Sequence, residues 1–123
     1  MSQSSLHADA FYKDVAQTKI IWGIRDKNGI PAPMTKTGLR AMPFWSAKSR
    51  VEKIINTVPD YKKFEPFEIP WADFKERWIP GMSNDNYLVG LNWSGSKATG
   101  YDSEPEAVLE AIEYQINQIA KSA

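Results

Sequence analysis

The sequence predicts an α+β fold in which a mixed or mostly antiparallel sheet of about five strands packs with three main helices and one short helix. Segments with apolar residues at helical spacing lie at both ends of the chain and near its middle. The stretches between them are short, rich in β-branched and aromatic residues, and separated by Asn, Gly and Pro turns. A chain of 123 residues, 42% of them hydrophobic, fits one domain over residues 1–123.

The first element is predicted as a helix over residues 4–18. Leu6, Phe11 and Val15 fall on one stripe at helical spacing, which is typical of an amphipathic helix covering a core.

A strand and a hairpin are predicted next. Residues 19–26 contain a β-branched run, and Asn28-Gly29 then supplies two residues that tolerate positive φ. We expect residues 30–34 to form the return strand, at the edge of the sheet because its two prolines cannot donate to a ladder.

A third strand is predicted over residues 39–45, followed directly by a helix. Ser46 is expected to cap that helix with its hydroxyl, Val51 and Ile54 lie on its apolar face, and Pro59 ends it.

Residues 64–69 alternate as a strand does, and Pro70 suits the first turn of a short helix. Trp71, Phe74 and Trp78 then share one face of that helix.

The C-terminal part is predicted as two strands and a helix. Residues 87–93 form the first strand, in which Gly90 indicates a bulge or a close backbone contact. Residues 97–101 return as a short strand, and Pro105 stands in the first turn of the last helix.

Several kinds of chemistry are disfavoured by the residue types present. The chain has no Cys and a single His, His7, near a terminus where fraying is common, so neither a Ser–His catalytic pair nor a zinc site is expected. No phosphate-binding glycine motif and no pair of acids in an apolar setting can be identified. We expect no metal and no cofactor, and favour a role other than that of an enzyme.

The charge is balanced overall but unevenly placed. The formal net charge is zero, which makes nucleic acid an unlikely partner. Residues 36–53 carry five basic side chains and one acidic one, whereas residues 101–123 carry five acidic and one basic. These stretches are expected to be solvated faces that can attract each other. No membrane span or leader is expected, so the predicted location is the cytoplasm.

One constellation suggests a binding site, at the predicted strand-to-helix junction Ser46–Arg50. A helix N-terminus with added cations and hydroxyls can hold a phosphate or a carboxylate. The simpler alternative is that Ser46 caps its helix while the cations are solvated. The candidate ligand-binding residues are Arg40, Trp45, Ser46, Lys48, Ser49, Arg50, Asn92, Trp93 and Tyr101.

The chain also resembles a small family of bacterial proteins catalogued as a domain of unknown function, DUF2750. The motifs that carry the resemblance are Pro31-Ala32-Pro33-Met34, Arg40-Ala41-Met42-Pro43-Phe44-Trp45-Ser46, Ser49-Arg50, Glu52-Lys53-Ile54, Pro80-Gly81, Val89-Gly90-Leu91-Asn92-Trp93-Ser94-Gly95 and Gly100-Tyr101-Asp102. This resemblance implies a free-standing bacterial cytoplasmic protein and brings no activity with it. The segment ending in Pro-Phe-Trp-Ser is also similar to the start of SseB-type domains, which implies a role in binding.

Three functions follow as hypotheses. The first is a protein-interaction or regulatory module, monomeric or weakly homodimeric, with another protein as its partner. The second is a binder of a small anion or metabolite at Ser46–Arg50. The third is a small enzyme that uses a residue such as Tyr101 or Asp102 as acid or base.

Overall fold

The computed structural model describes residues 3–122. Its elements, in chain order, are α1 (Gln3–Thr18), β1 (Ile20–Arg25), β2 (Ala41–Phe44), α2 (Lys48–Thr57), a 3₁₀ turn (Pro59–Tyr61), β3 (Glu65–Pro70), α3 (Trp71–Asp73), a π-helical segment (Phe74–Trp78), α4 (Ile79–Asn84), β4 (Leu88–Ser94), β5 (Thr99–Ser103) and α5 (Pro105–Ser122). Since α3, the π-helical segment and α4 run without a break, the described residues form four helical units, besides the 3₁₀ turn, and five strands. This confirms the predicted α+β class.

The strands form one pair and one triplet. β1 pairs antiparallel with β3, while β2 runs parallel to β4 and β4 pairs antiparallel with β5. Two hydrogen bonds of 2.8 Å between the backbones of Trp22 and Trp45 join β1 to the end of β2. This bridge links a two-stranded antiparallel sheet, β3-β1, to a three-stranded mixed sheet, β2-β4-β5, so the five strands form two sheets where one was predicted.

The predicted return strand over residues 30–34 is wrong. The turn at Asn28-Gly29 does form, because Asp26 and Gly29 exchange two backbone hydrogen bonds of 3.0 Å. Beyond it the chain is a loop that contains a bridge between Met34 and Arg40 and a backbone hydrogen bond from Ala41 to the Pro33 carbonyl, but no strand. The prolines of this loop cannot donate to a ladder, and β3 pairs with β1 instead.

Two hydrophobic clusters cover the two faces of the linked sheets. The first joins α1, the 71–84 helical run and α5 around Val89 and Leu91 of β4. The second packs α2 against Trp45, Trp93 and Leu88. Because Val89 and Leu91 belong to one cluster and Leu88 to the other, β4 is covered on both faces, as expected for a central strand.

The π-helical segment has a local cause. Pro80 has no N–H to donate to the carbonyl four residues earlier and its ring crowds that carbonyl. The widened turn Phe74–Trp78 lies directly before this position, which lets the helix continue through Pro80 to Asn84.

Candidate ligand-binding cleft

Strand β4 contains an irregularity that determines the geometry of the cleft. The register between β4 and β5 shifts between Leu91 and Ser94, and Asn92 adopts a left-handed backbone with a φ of 51°. Asn is one of the few residues with a side chain that adopt this conformation readily. Of the two alternatives predicted at Gly90, the bulge is wrong there, because Gly90 pairs regularly with Asp102 and the irregularity lies at Asn92. Gly90 instead marks a close contact, which is with the Trp93 ring.

The bulge aims the buried Asn92 side chain at the start of α2. Asn92 Oδ1 accepts from the backbone N–H of Ser46 at 2.9 Å, and Asn92 Nδ2 donates to Ser46 Oγ at 3.0 Å and to the carbonyl of His7 at 3.0 Å. Ser46 Oγ in turn donates to a carboxylate oxygen of Asp14 at 2.8 Å. One buried amide thus connects α1, β4 and the β2–α2 junction.

This network overturns the prediction that Ser46 caps α2. The N-cap position is Ala47, which makes no side-chain cap, and Ser46 is only 3% exposed. Its hydroxyl is directed to Asp14 and Asn92 because these buried polar groups need partners.

Trp93 packs into a space that two glycines leave open. A Cβ on Gly90 would lie 2.4 Å from Trp93 Cε2, and one on Gly100 would lie 3.0 Å from Trp93 Cδ1. The Trp93 indole N–H donates to Asp102 Oδ1 at 2.9 Å, and the Trp93 carbonyl accepts from the Trp45 indole at 2.9 Å. The distinctive residues of β4 and β5 therefore hold this ring in place.

A cleft of about 860 Å³ opens between α2 and the β4–β5 turn. One wall is a single face of α2, since its residues lie at helical spacing. The other wall is the β4–β5 turn, His7 of α1 closes one end, and Asn92 and Trp93 form the floor. The lining residues are His7, Ser49, Arg50, Lys53, Ile54, Thr57, Asn92, Trp93, Ser94, Gly95, Ser96 and Thr99.

The cleft brings together four of the nine residues predicted from the sequence: Ser49, Arg50, Asn92 and Trp93.

The other five lie outside its lining. Trp45 and Ser46 are buried, Lys48 is exposed, and an Arg40 guanidinium nitrogen donates to the carbonyl of Ala32 at 2.9 Å. Tyr101 is 43% exposed on β5 and lies close to Tyr12 of α1. The Ser46 N–H, which lies before the N-cap of α2, is occupied by Asn92 and is not available to a ligand.

Sequence reasoning missed His7 and Lys53. His7 was set aside because it lies near a terminus, yet its carbonyl is held by Asn92 and its Nδ1 lies 3.3 Å from Ser94 Oγ. Lys53 lies four residues after Ser49, and that spacing on a helix was the signal that could have identified it.

The lining of the cleft is basic. Arg50 and Lys53 contribute two positive charges, and no Asp or Glu is among the described residues that line it. Salt bridges within residues 3–122 are Lys13–Asp9 and Lys75–Glu113, so neither cation of the cleft is neutralised by one. The basic and acidic stretches noted in the sequence likewise form no salt bridge with each other across the described chain.

The pKa values of Asp102 and Tyr12 are both raised, and Asp102 contacts Trp93 of the cleft. Burial raises the pKa of the Asp102 carboxyl, and the hydrogen bond from Trp93 opposes that rise. Burial also raises the pKa of Tyr12, with a smaller contribution from Tyr101 in the same direction, against a hydrogen bond with Ser103 that lowers it.

The arrangement can attract and hydrogen-bond an anion. Among the described residues no group of three or more His, Asp or Glu side chains is placed to hold a metal ion. His7 and Ser94 form a contact at the cleft that a proton could cross, but no carboxylate of the described lining orients the imidazole. No helix within residues 3–122 has the length and apolar character needed to cross a membrane.

Comparison with known proteins identifies the family to which the chain belongs. No curated protein matches the chain. Among solved structures, Anabaena Tic22 (protein transport) is similar at 12% sequence identity and a TM-score of 0.38, over 72% of this chain. The chain spans 45% of the length of that protein. The family model for "Protein of unknown function (DUF2750)" matches residues 8–112, and the chain therefore belongs to the DUF2750 family.

Proposed function

We propose that this domain binds a small anionic ligand in the cleft between α2 and the β4–β5 turn. The observation that carries the proposal is the pairing of Arg50 and Lys53 on one wall, with no acidic side chain in the described lining. Neither cation has a salt-bridge partner within residues 3–122, and two such cations in a concave site raise the local concentration of anions.

The volume of the cleft supports a small molecule as the ligand. About 860 Å³ lies within the range of roughly 300–1,000 Å³ that is typical of small-molecule sites. The cleft is also built on supported elements, because the Asn92 network fixes the β4 bulge against the start of α2. A preorganised site loses less entropy when its ligand binds.

A protein partner is a second candidate. Exposed large hydrophobic side chains include Leu6 of α1, Tyr101 of β5 and Tyr114 of α5, and α1 packs against both β5 and α5. A contiguous apolar patch on these three elements would be the kind of surface that a protein partner covers. The protein-interaction role, the cytoplasmic location and the monomeric or weakly dimeric state stay predictions from the sequence.

The test is a thermal-shift and calorimetric screen of the whole chain against phosphate, sulfate, carboxylates and phosphorylated metabolites. Binding to the native state raises the melting temperature by mass action. We expect anions, but not their neutral analogues, to stabilise the protein, and Arg50→Gln to remove that stabilisation.

Lys62→Gln is the matched control, because Lys62 is exposed and lies outside the cleft. Stabilisation by anions that is the same in Arg50→Gln, Lys53→Gln and Lys62→Gln would contradict the proposed site.

A further inference from the structure

We infer that the ligand of this cleft is a phosphate monoester of a small hydroxylated molecule. This inference rests on the proposed function and adds the chemical class of the ligand. Three features carry it: the hydrogen-bond donors that line the cleft, the volume of the cleft, which exceeds that of an inorganic anion, and the absence of a carboxylate among the described lining residues.

The donors exceed what a carboxylate can accept. The planar guanidinium of Arg50 and the ammonium of Lys53 are charged donors on the α2 wall. Ser49 on the same wall and Ser96 on the β4–β5 turn add a hydroxyl group each. The Thr57 hydroxyl donates to the carbonyl of Lys53 at 2.6 Å, so it is not counted among the donors available to a ligand.

A carboxylate offers two oxygens and one charge. A phosphate monoester offers three terminal oxygens and close to two charges at neutral pH. It therefore matches two cations and hydroxyls on two walls better than a carboxylate does, and Arg is well suited to bidentate contact with it.

The size of the cleft indicates that the ligand has an organic part besides its phosphate group. A bare phosphate ion would fill a small fraction of about 860 Å³. Thr99 presents an exposed hydroxyl and Ser94 a half-buried one, whereas Ile54 and Trp93, at 3% and 5% exposed, contribute only small apolar edges to the lining. A polyhydroxylated carbon skeleton, such as that of a sugar, can contact both kinds of surface.

The lining also discriminates against an ammonium group on the ligand. An ammonium needs an acceptor of opposite charge when it leaves water, and no Asp or Glu is present in the described lining. Near Arg50 and Lys53 it would be repelled. We therefore expect an amino-substituted phosphate monoester to bind more weakly than a neutral one.

The experiment is isothermal titration calorimetry of the full chain with five probes: glucose 6-phosphate, glucose, inorganic phosphate, phosphoethanolamine and succinate. We expect glucose 6-phosphate to bind at least about tenfold more tightly than each of the others. Arg50→Gln and Lys53→Gln should each weaken its binding about ten- to hundredfold, and Lys62→Gln should leave it unchanged.

Both cleft substitutions replace side chains at the surface of α2, and far-UV circular dichroism with urea unfolding checks that each variant is folded. Succinate or phosphoethanolamine binding as tightly as glucose 6-phosphate, and still depending on Arg50, would overturn the inference while leaving the proposed function in place. Failure of all the anionic probes to bind, or binding that ignores both Arg50 and Lys53, would overturn both.

Discussion

Asn92 Oδ1 accepts a hydrogen bond of 2.9 Å from the backbone N–H of Ser46, a residue 46 positions away in the sequence. The bond joins the bulge of β4 to the start of α2, which are the two walls of the cleft. Asn92 is 1% exposed and Ser46 is 3% exposed, so neither group can turn to water instead. The shape of the cleft therefore depends on this pair.

Removing the Asn92 side chain should destabilise the fold. Asn92→Ala leaves the buried Ser46 N–H without its acceptor and places Ala in a left-handed conformation, so we expect a loss of about 2–4 kcal/mol in the free energy of unfolding. Asn92→Gly loses the same hydrogen bonds but relieves the backbone, and should be less damaging by about 1 kcal/mol. Urea unfolding measures both, and two variants as stable as the parent would show that the network does not support the fold.

Two glycines should respond to Ala in opposite directions. A Cβ at Gly90 would lie 2.4 Å from the buried Trp93 ring, so Gly90→Ala should lower the free energy of unfolding by about 1–3 kcal/mol. Gly81 lies in α4 with nothing within 4 Å of the added Cβ, so Gly81→Ala should raise it by about 0.5–1 kcal/mol. Thermal unfolding compares the pair directly. Equal effects of the two substitutions would contradict the packing described around Trp93.

Asp102 should make stability fall as the pH rises above about 4. Burial raises the pKa of its carboxyl in the folded state, so the folded protein holds this proton more tightly than the unfolded chain does. The group therefore destabilises the fold once the pH exceeds the unfolded pKa, and the penalty is complete above the folded pKa.

Asp102→Asn keeps an oxygen that can accept from the Trp93 indole and removes this titration. The variant should gain stability relative to the parent as the pH rises from 4 to 7, measured by urea unfolding at a series of pH values. A difference between the two proteins that does not change with pH would show that the pKa of Asp102 is not raised.

Much of the fold could be predicted from local patterns. The helices are predicted from apolar spacing. In α1 that spacing holds for Phe11 and Val15, which are fully buried, whereas Leu6 of the same predicted stripe is 51% exposed and does not join the core. The predicted return strand over residues 30–34 is wrong because strand pairing depends on contacts between residues far apart in the sequence. A turn at Asn28-Gly29 does not decide which strand lies beside β1, and β3, some 40 residues further along, takes that place.

The candidate site was predicted only in part, for a physical reason. Arg50 and Ser49 were found because charge and hydroxyl content are visible in the sequence. The role of Asn92 in holding Ser46 depends on the bulge in β4, which reverses the direction of one side chain, and no periodicity shows this. His7 reaches the cleft because α1 packs beside β4, a tertiary contact between residues 85 positions apart.

An anion site between α2 and the β4–β5 turn is tested most directly by locating where an anion binds. In a ¹H–¹⁵N correlation titration of the full chain with glucose 6-phosphate, we expect saturable shifts confined to the amides of residues 49–57 and 94–99 and the indole of Trp93. The same titration of Arg50→Gln should show these shifts weakened. Shifts centred instead on the small pocket lined by Met42, Trp78 and Tyr87, or unchanged in Arg50→Gln, would contradict an anion site between α2 and the β4–β5 turn.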